Sequence, residues 1–529
     1  MFDIFFSYTD LFIALLYSMM RMFIAYMISV ILGLIIGVSM ARNRYVEAIL
    51  LPVLDVLQSI PILGFFPVAI LILIKMLPGW LGIETAVIFL LVTSLLWNII
   101  FGVYSSLKAL DPSINDLVKV YRIGFFTRFF RIYSVASARS IAANSVISWA
   151  GGWFFLTSAE VLTLGEGEYE VKGIGTELIK SFASGDYNRF VVGLITLILG
   201  IMFTYVFIWN PMASESVNRR LVSIDFIYKR FIKPLARSLW NLIAIVLERL
   251  ELYTRSLFNN FLKRHMSRIY VSKKVVIKIT FIIIAIITII SLDMSLIKLE
   301  SFTIKPAGTD MSGFLLNTLL SLSRVSGVVF IGILLSIMLT YISYRSSYKD
   351  GGVIFMLIIL LGELLASMPA VFWWPILYSI AYSGIAGSYI VSLIVFLQGS
   401  MWYSYFNILI FGLSSVRRDL MELADIYKIK GSIFLRKIFI PAMIPSIAAG
   451  GLSAWGGAWN STIVAEYIDL GGRIIDLGGL GALLNIYASE DRLTDLMITL
   501  LYMVLIIILI NKLVWREVFK RVSRKFMVD

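Results

Sequence analysis

Two stretches decide the reading of this chain: Trp149-Ala150-Gly151-Gly152-Trp153-Phe154-Phe155-Leu156-Thr157-Ser158-Ala159-Glu160 and Trp455-Gly456-Gly457-Ala458-Trp459-Asn460-Ser461-Thr462-Ile463-Val464-Ala465-Glu466. They lie 306 positions apart. The same offset carries Tyr121 onto Tyr427, Gly173 and Gly175 onto Gly479 and Gly481, and Trp209 onto Trp515. One ungapped offset held over about ninety residues implies two copies of one structural unit. Upstream the register drifts slightly: Asp55, Pro61 and Pro67 match Glu363, Pro369 and Pro375 at 308, and Ser18 with Arg21 match Ser321 with Arg324 at 303. A pseudo-symmetric pair of halves is expected, with function between them.

With 59% hydrophobic and 15% charged residues and a mean hydropathy of +0.90, the chain is excluded from the ordinary soluble class. An all-α polytopic membrane protein is predicted instead. Apolar runs long enough to cross a bilayer fall near 11–40, 47–76, 83–108, 139–162 and 188–210, then near 275–292, 311–343, 352–382, 385–413, 441–467 and 494–515. Cysteine is absent and His265 is the single histidine, which removes disulfides, thiol chemistry, haem and nearly every transition-metal site. No metal or other cofactor is expected. Arg21 is the first arginine and follows Asp3 and Asp10, so the start lacks the basic region of a cleavable signal peptide and reads as an uncleaved end lying outside.

The net charge of +13 sorts by side of the membrane and needs no nucleic acid. Residues 211–274 hold thirteen Lys and Arg against four Asp and Glu, a net of nine, and Lys512, Arg516, Lys520, Arg521, Arg524 and Lys525 follow near the C-terminus. The positive-inside rule places both in the cytoplasm. Loops carrying Glu166, Glu168, Glu170, Glu177 and Asp186, or Asp469, Asp476, Glu490 and Asp491, then lie outside. Five spans in the first copy would invert the second, and the unmatched run at 275–292 restores parity. The halves are therefore expected to be parallel, related by an axis along the membrane normal. The division is a first domain of five spans (1–210), a basic linker (211–274) and a second domain of six spans (275–529). Near-helical spacing of apolar residues over 239–252 predicts an interfacial linker helix in contact with membrane lipid.

On the cytoplasmic side of the second copy, Glu422-Leu423-Ala424-Asp425-Ile426-Tyr427-Lys428 is followed by Ile438-Phe439-Ile440-Pro441 and Pro445. Here the chain resembles the permease subunits of binding-protein-dependent ABC importers, whose cytoplasmic EAA loop reads Glu-Ala-Ala, three residues, Gly, nine residues, Ile, one residue, Leu-Pro. Glu422, Ala424, Ile438 and Pro441 match that spacing. Lys428 stands at the family's glycine, and Gly431 is a candidate to supply the turn in its place. A more eroded version places Asp116, Val118, Arg122, Ile132 and Val135 at the corresponding positions of the first copy. The paired Ser-x-x-Arg patterns, Ala465-Glu466, Gly479-x-Gly481 and the closing Leu513-Val514-Trp515-Arg516 are similar to the nitrate, sulfonate and taurine branch. The resemblance implies a plasma-membrane permease for a small polar or anionic solute, an ATPase subunit docked on the two loops, and a separate extracytoplasmic solute-binding protein. No G-x-x-x-x-G-K-[ST] stretch occurs in the sequence, so ATP hydrolysis is expected on another chain.

Ionisable groups inside apolar spans are expensive and mark candidate sites. They are Arg21, Arg324, Asp55, Glu363, Glu160 and Glu466, each with a buried structural pairing as its alternative role. Trp153 and Trp459, beside small residues, are candidates to line or gate a path, with interfacial anchoring as the alternative. Asn460 faces Phe154 across the repeat and hints at an asymmetric lining. An ion-coupled secondary transporter using these carboxylates is the competing reading; a membrane enzyme is disfavoured, since the outer carboxylates show no spacing fit for chemistry.

Overall fold

The chain, as a computed structural model, is described over residues 8–58, 62, 69, 73, 76–77, 79–121, 123–162, 171–209, 211–212, 229–230, 233–265, 311–347, 353–368, 373–381, 384–412, 416, 420, 423–424, 426–429, 431–469, 474–490 and 492–526. The first copy comprises α1 (Thr9–Arg42), α2 (Arg44–Leu57), α3 (Trp80–Lys108), α4 (Pro112–Val120), α5 (Ser134–Leu162), α6 (Ile174–Ala183) and α7 (Tyr187–Thr204). The linker contributes α8 (Lys233–His265). The second copy comprises α9 (Met311–Ser347), α10 (Val353–Ser367), α11 (Trp374–Ala381), α12 (Ile385–Phe406), α13 (Ile440–Glu466), α14 (Leu480–Ser489), α15 (Leu493–Ile510) and α16 (Arg516–Phe526). Its match to the first is element by element: α1 with α9, α2 with α10, α3 with α12, α5 with α13, α6 with α14, α7 with α15.

Helices are the structure such apolar segments must take, because in lipid every backbone polar group has to be satisfied within its own segment. Among the described residues seven helices are long and apolar enough to cross a membrane: Thr9–Arg42, Trp80–Lys108, Tyr187–Trp209, Gly313–Tyr344, Ile385–Leu409, Gly431–Glu466 and Thr494–Val522. The full set of five and six spans is thus not reached. α5 has the length, at 29 residues, but its serines, glycines and Asn144 dilute its hydropathy. The expected single span at 352–382 is instead two helices, α10 and α11, of 15 and 8 residues. Proline explains the break: it disfavours helical backbone at the residue before it, and α10 stops two residues short of Pro369. The unmatched run at 275–292 lies outside the described residues. One departure from all-α structure follows Glu466, where β1 (Tyr467–Asp469) pairs antiparallel with β2 (Ile474–Asp476) in the register Tyr467 to Asp476.

Within each half the same helices pack: α3 lies between α1 and α5, and α12 between α9 and α13. Aromatic rings fill the junction of the first half, with Trp149 against Trp209 at 4.7 Å and against Phe23 at 4.8 Å between centroids. The Trp149 indole N–H donates to Thr204 Oγ1 at 3.2 Å. Trp455 and Trp515 form the looser equivalent at 6.1 Å. Between the halves α10 packs on α7 and α2 on α15, a reciprocal pair of the kind a two-fold arrangement gives, and α10 and α12 also pack on α5.

Where α12 packs on α13 within the second half, small residues set the approach. A Cβ at Gly457 would lie 2.7 Å from the Gly399 carbonyl oxygen and 2.7 Å from the Tyr403 ring, whereas one at Gly327, within α9, would meet nothing within 4 Å. Gly457→Ala is expected to cost about 1–3 kcal/mol through overpacking, and Gly327→Ala to be neutral or stabilising by up to about 1 kcal/mol. Thermal unfolding of the two variants in detergent micelles checks the ordering.

Candidate functional site

Two carboxylates, those of Glu160 and Glu466, are fully buried and each is bonded to three other residues. Ser18 Oγ donates to Glu160 Oε1 at 2.6 Å, Arg21 Nη1 donates to the same oxygen at 3.0 Å, and the Gly175 N–H donates to Oε2 at 2.9 Å. The second half repeats this. Ser321 Oγ donates to Glu466 Oε1 at 2.7 Å, Arg324 Nη1 at 3.2 Å, and the Gly481 N–H to Oε2 at 2.8 Å. In each half the serine also accepts from the first helical N–H of α6 or α14, Ile174 at 3.0 Å or Leu480 at 2.8 Å. A carboxylate at a helix N-terminus satisfies orphan donors and complements the macrodipole.

The glycines complete the same device. A Cβ at Gly173 or Gly479 would fall 2.2 Å from the glutamate side chain, so only hydrogen fits there. Ser-x-x-Arg, Ala-Glu and Gly-x-Gly are therefore one clamp joining three helices. Both arginines also donate through Nη1 to a matched backbone oxygen, Arg21 to Lys172 at 2.8 Å and Arg324 to Gly478 at 2.6 Å; they differ in that Arg21 forms a bidentate pair with Glu84, at 2.6 Å for both bonds, while Arg324 Nη2 donates to the Leu477 oxygen at 2.6 Å.

The two cytoplasmic-type loops form a second matched feature. In the first copy Asp111 caps α4, its Oδ1 accepting from the Ser113 N–H at 2.8 Å, and that bond holds its carboxyl below the usual range. Asp116 is exposed on α4 and Val118 is buried. Ala424 is buried at the position of Val118. Around them, Leu117, Val120 and Tyr121 are exposed in one copy and Leu423, Ile426 and Tyr427 in the other, Tyr121 at 73% and Tyr427 at 72%. Glu422 and Arg122 lie outside the described residues.

The loops also end alike. Ile123 N–H donates to the Val118 oxygen at 3.2 Å and Ile429 N–H to the Ala424 oxygen at 2.7 Å, the closing bond of a Schellman turn, which needs a left-handed residue just before it. Lys428 itself takes that conformation, at φ 53. The turn is thus made at Lys428 without a glycine; Gly431, at φ 64, makes a separate turn ahead of α13, whose second residue is Pro441. Behind the first loop, α8 braces the segment leading to α5: Trp240 packs edge-on against Phe130 at 4.9 Å, and Arg131 reaches Glu248 at 3.2 Å and Asn241 at 3.1 Å.

Between the halves lies a cavity of about 260 Å³. Gln58, Asn98 and Asn144 reach it from the first half and Asn407, Asn460 and Asn511 from the second. Offset-related residues share it, Trp97 with Tyr403, Phe101 with Asn407, and Ile147 with Ser453. Asn460 Oδ1 accepts from the Ile62 N–H of the other half. Phe154 sits beside a smaller pocket with Gly151, Gln398 and Tyr403. Trp153 and Trp459 are fully buried within their own halves, each edge-on to the preceding tryptophan at 6.4 and 6.1 Å, and their rings do not line the cavity. Of the path candidates Trp153, Phe154, Glu160, Trp459, Asn460 and Glu466, Asn460 lines it, as do Trp455, Gly456 and Gly457 of the repeated stretch; the other five amides belong to no motif named above. The available signal was an amide in a run otherwise free of polar groups larger than serine or threonine, as at Asn98 and Asn511.

Because Arg21 keeps Glu84 when Glu160 is neutralised, Glu160→Gln is expected to be milder than Glu466→Gln, which strands Arg324; removing one member of a buried pair costs about 3–5 kcal/mol. Thermal midpoints of the two variants in the same lipid nanodiscs report the difference. Lys428→Gly, by relieving a left-handed residue worth about 1–2 kcal/mol, is expected to slow hydrogen exchange at the Ile429 amide.

Comparison with known proteins agrees with this arrangement. The family model described as a binding-protein-dependent transport system inner membrane component matches residues 29–209 and again 329–515. The nitrate import permease protein NrtB of Leptolyngbya laminosa is 22% identical over 194 residues, covering 36% of this chain and 65% of that protein. Its counterpart in Synechococcus elongatus is 22% identical over 200 residues, covering 36% and 67%. That in Synechocystis sp. is 21% identical over 186 residues, covering 35% and 63%. The matches thus span about two thirds of these relatives' length. No solved structure matches the chain. With both copies matched over most of their length, the chain belongs to the family of binding-protein-dependent transport system inner membrane components.

Proposed function

We propose that this chain is the membrane permease of an ABC importer, its two halves enclosing the path of a small polar or anionic solute through the amide-lined cavity. The observation that carries the proposal is the pair of matched loops, each presenting an exposed leucine, a β-branched residue and a tyrosine around one buried small residue. Exposed apolar clusters on short helices are docking surfaces. Two of them suit two ATPase subunits, one per half, and a rigid loop leading directly into α5 or α13 can pass their motion to the cavity. A solute-binding protein on the opposite face completes the system, and the nitrate import permeases among the relatives favour a nitrate-like solute.

Parallel halves of five and six spans, in domains 1–210 and 275–529, with an outer N-terminus and a cytoplasmic C-terminus, follow from the same reading. Three offset-related residue pairs sharing one cavity support an axis running along the helices. Asp116, Val118, Arg122, Glu422, Ala424, Lys428, Gly431 and Pro441 are assigned to coupling. Asn460 and Phe154 are assigned to the path, with Trp153 and Trp459 behind its wall and Glu160 and Glu466 holding its outer end. Arginine pairing makes Glu160 and Glu466 poor ion-coupling groups, which counts against their use in the secondary-transporter alternative; the side chains of Asp55 and Glu363 lie outside the described residues.

Tyr121→Asp and Tyr427→Asp are each expected to leave the chain folded, both residues being exposed, and to reduce co-purification of the ATPase and ATP-driven uptake. Single cysteines at the same positions should react only from the cytoplasmic side. Undiminished assembly in the double variant would remove the coupling role.

A further inference from the structure

The cavity offers polarity without charge. Among the described residues that line it there is no Asp, Glu, Lys or Arg. The sequence extends this beyond the lining itself: residues 56–74, 85–107, 140–159, 364–416, 438–465 and 496–511, which together contain every lining residue, hold none of these four types. Of the carboxylates at the ends of these runs, Glu84 and Glu160 are paired with Arg21, and Glu466 with Arg324. What remains to meet a solute is a set of carboxamides.

Their geometry favours donation. A carboxamide NH2 carries two hydrogens; in Asn407 and Asn460 one donates to the carbonyl four residues earlier, Tyr403 at 2.8 Å and Gly456 at 3.0 Å, leaving the second for a solute. The oxygen of Asn460 is turned to the Ile62 N–H, which fixes the orientation of the group. None of the six amides meets another at the repeat offset: Asn98 corresponds to Ser404, Asn144 to Gly450, and Asn407, Asn460 and Asn511 to Phe101, Phe154 and Tyr205, while Gln58 corresponds to Leu364 or Ala366.

Resting on the reading of this cavity as the translocation path, we infer that it is a binding site for a weakly hydrated solute carrying at most one negative charge, held by amide N–H groups, and that it excludes divalent anions. The reason is dehydration. Moving an ion into a low-dielectric site costs several kcal/mol even after relaxation, and the Born penalty scales with the square of the charge, roughly fourfold for a divalent ion. Dipoles can offset the first cost; without a fixed cation they do not offset the second.

The chain contains no cysteine, so Ser453→Cys, or Ser94→Cys should the first fail to assemble, places a single thiol on the cavity wall. With the full chain in lipid nanodiscs, the rate of its modification by a small neutral methanethiosulfonate is measured in nitrate and in sulfate at equal ionic strength. Nitrate is expected to slow modification several-fold and sulfate to leave it unchanged. Equal protection by sulfate overturns the charge limit. Protection by neither ion overturns the site while leaving the ATPase-assembly test of the importer reading intact. Asn144→Lys, which supplies the missing cation, is expected to bring sulfate protection; its failure to do so would show that dehydration is not the discriminating cost.

Discussion

A buried carboxylate bonded at once to a serine, an arginine and a helix N-terminus holds each half together. Glu160 and Glu466 reach across from α5 and α13 to the first helix of their copy and to the start of the short helix that follows. Taking such a charge out of water is unfavourable unless its lone pairs are filled and its charge matched, and here both conditions are met by residues from three segments. The arrangement exists only when all three are in place. It fixes how α5 leaves the bundle, and hence how its far end presents the segment that meets the coupling loop.

The interior depends on this sequestration. With the ionisable groups tied down at the helix ends, the meeting surface of the two halves is left to glycines, aromatic rings and amides. Glycines at 457 and 399 bring the α13 and α12 backbones close within the second half, and the amide-lined cavity lies between the halves. At the opposite end the loops are built to the same plan in both copies, yet α8 braces only the first, through Trp240 on Phe130 and Arg131 on Glu248. The first loop is the more eroded in sequence. A brace from the linker gives it a support that the second loop does not have among the described residues.

The repeat was plain in the sequence because bulky tryptophans, glycines and glutamates recur at a constant offset, and these are residues whose replacement alters packing or leaves a charge unpaired. The clamp was half legible. Its parts were visible as motifs, but that Ser18, Arg21, Glu160 and Gly175 meet is a fact of tertiary structure, with 142 residues between Ser18 and Glu160. Proline divides the run at 352–382 into two helices, a break that hydropathy alone does not register. The tryptophans at 153 and 459 drew attention by size, yet size is what suits a residue to a core. The amides of the cavity were hidden for the opposite reason: each is a single unrepeated polar residue, invisible to any argument from symmetry.

That lack of repetition bears on why the two copies share a chain. In a symmetric homodimer, an asparagine facing the axis is present twice, and any change to the lumen is made in duplicate. Covalent fusion removes that rule. Asn460 can stand opposite Phe154, one supplying a donor and the other bulk, and six such choices can be made independently around one axis. The fused chain can therefore present its solute with a directional surface, one with a distinguishable left and right, which two identical subunits could not build.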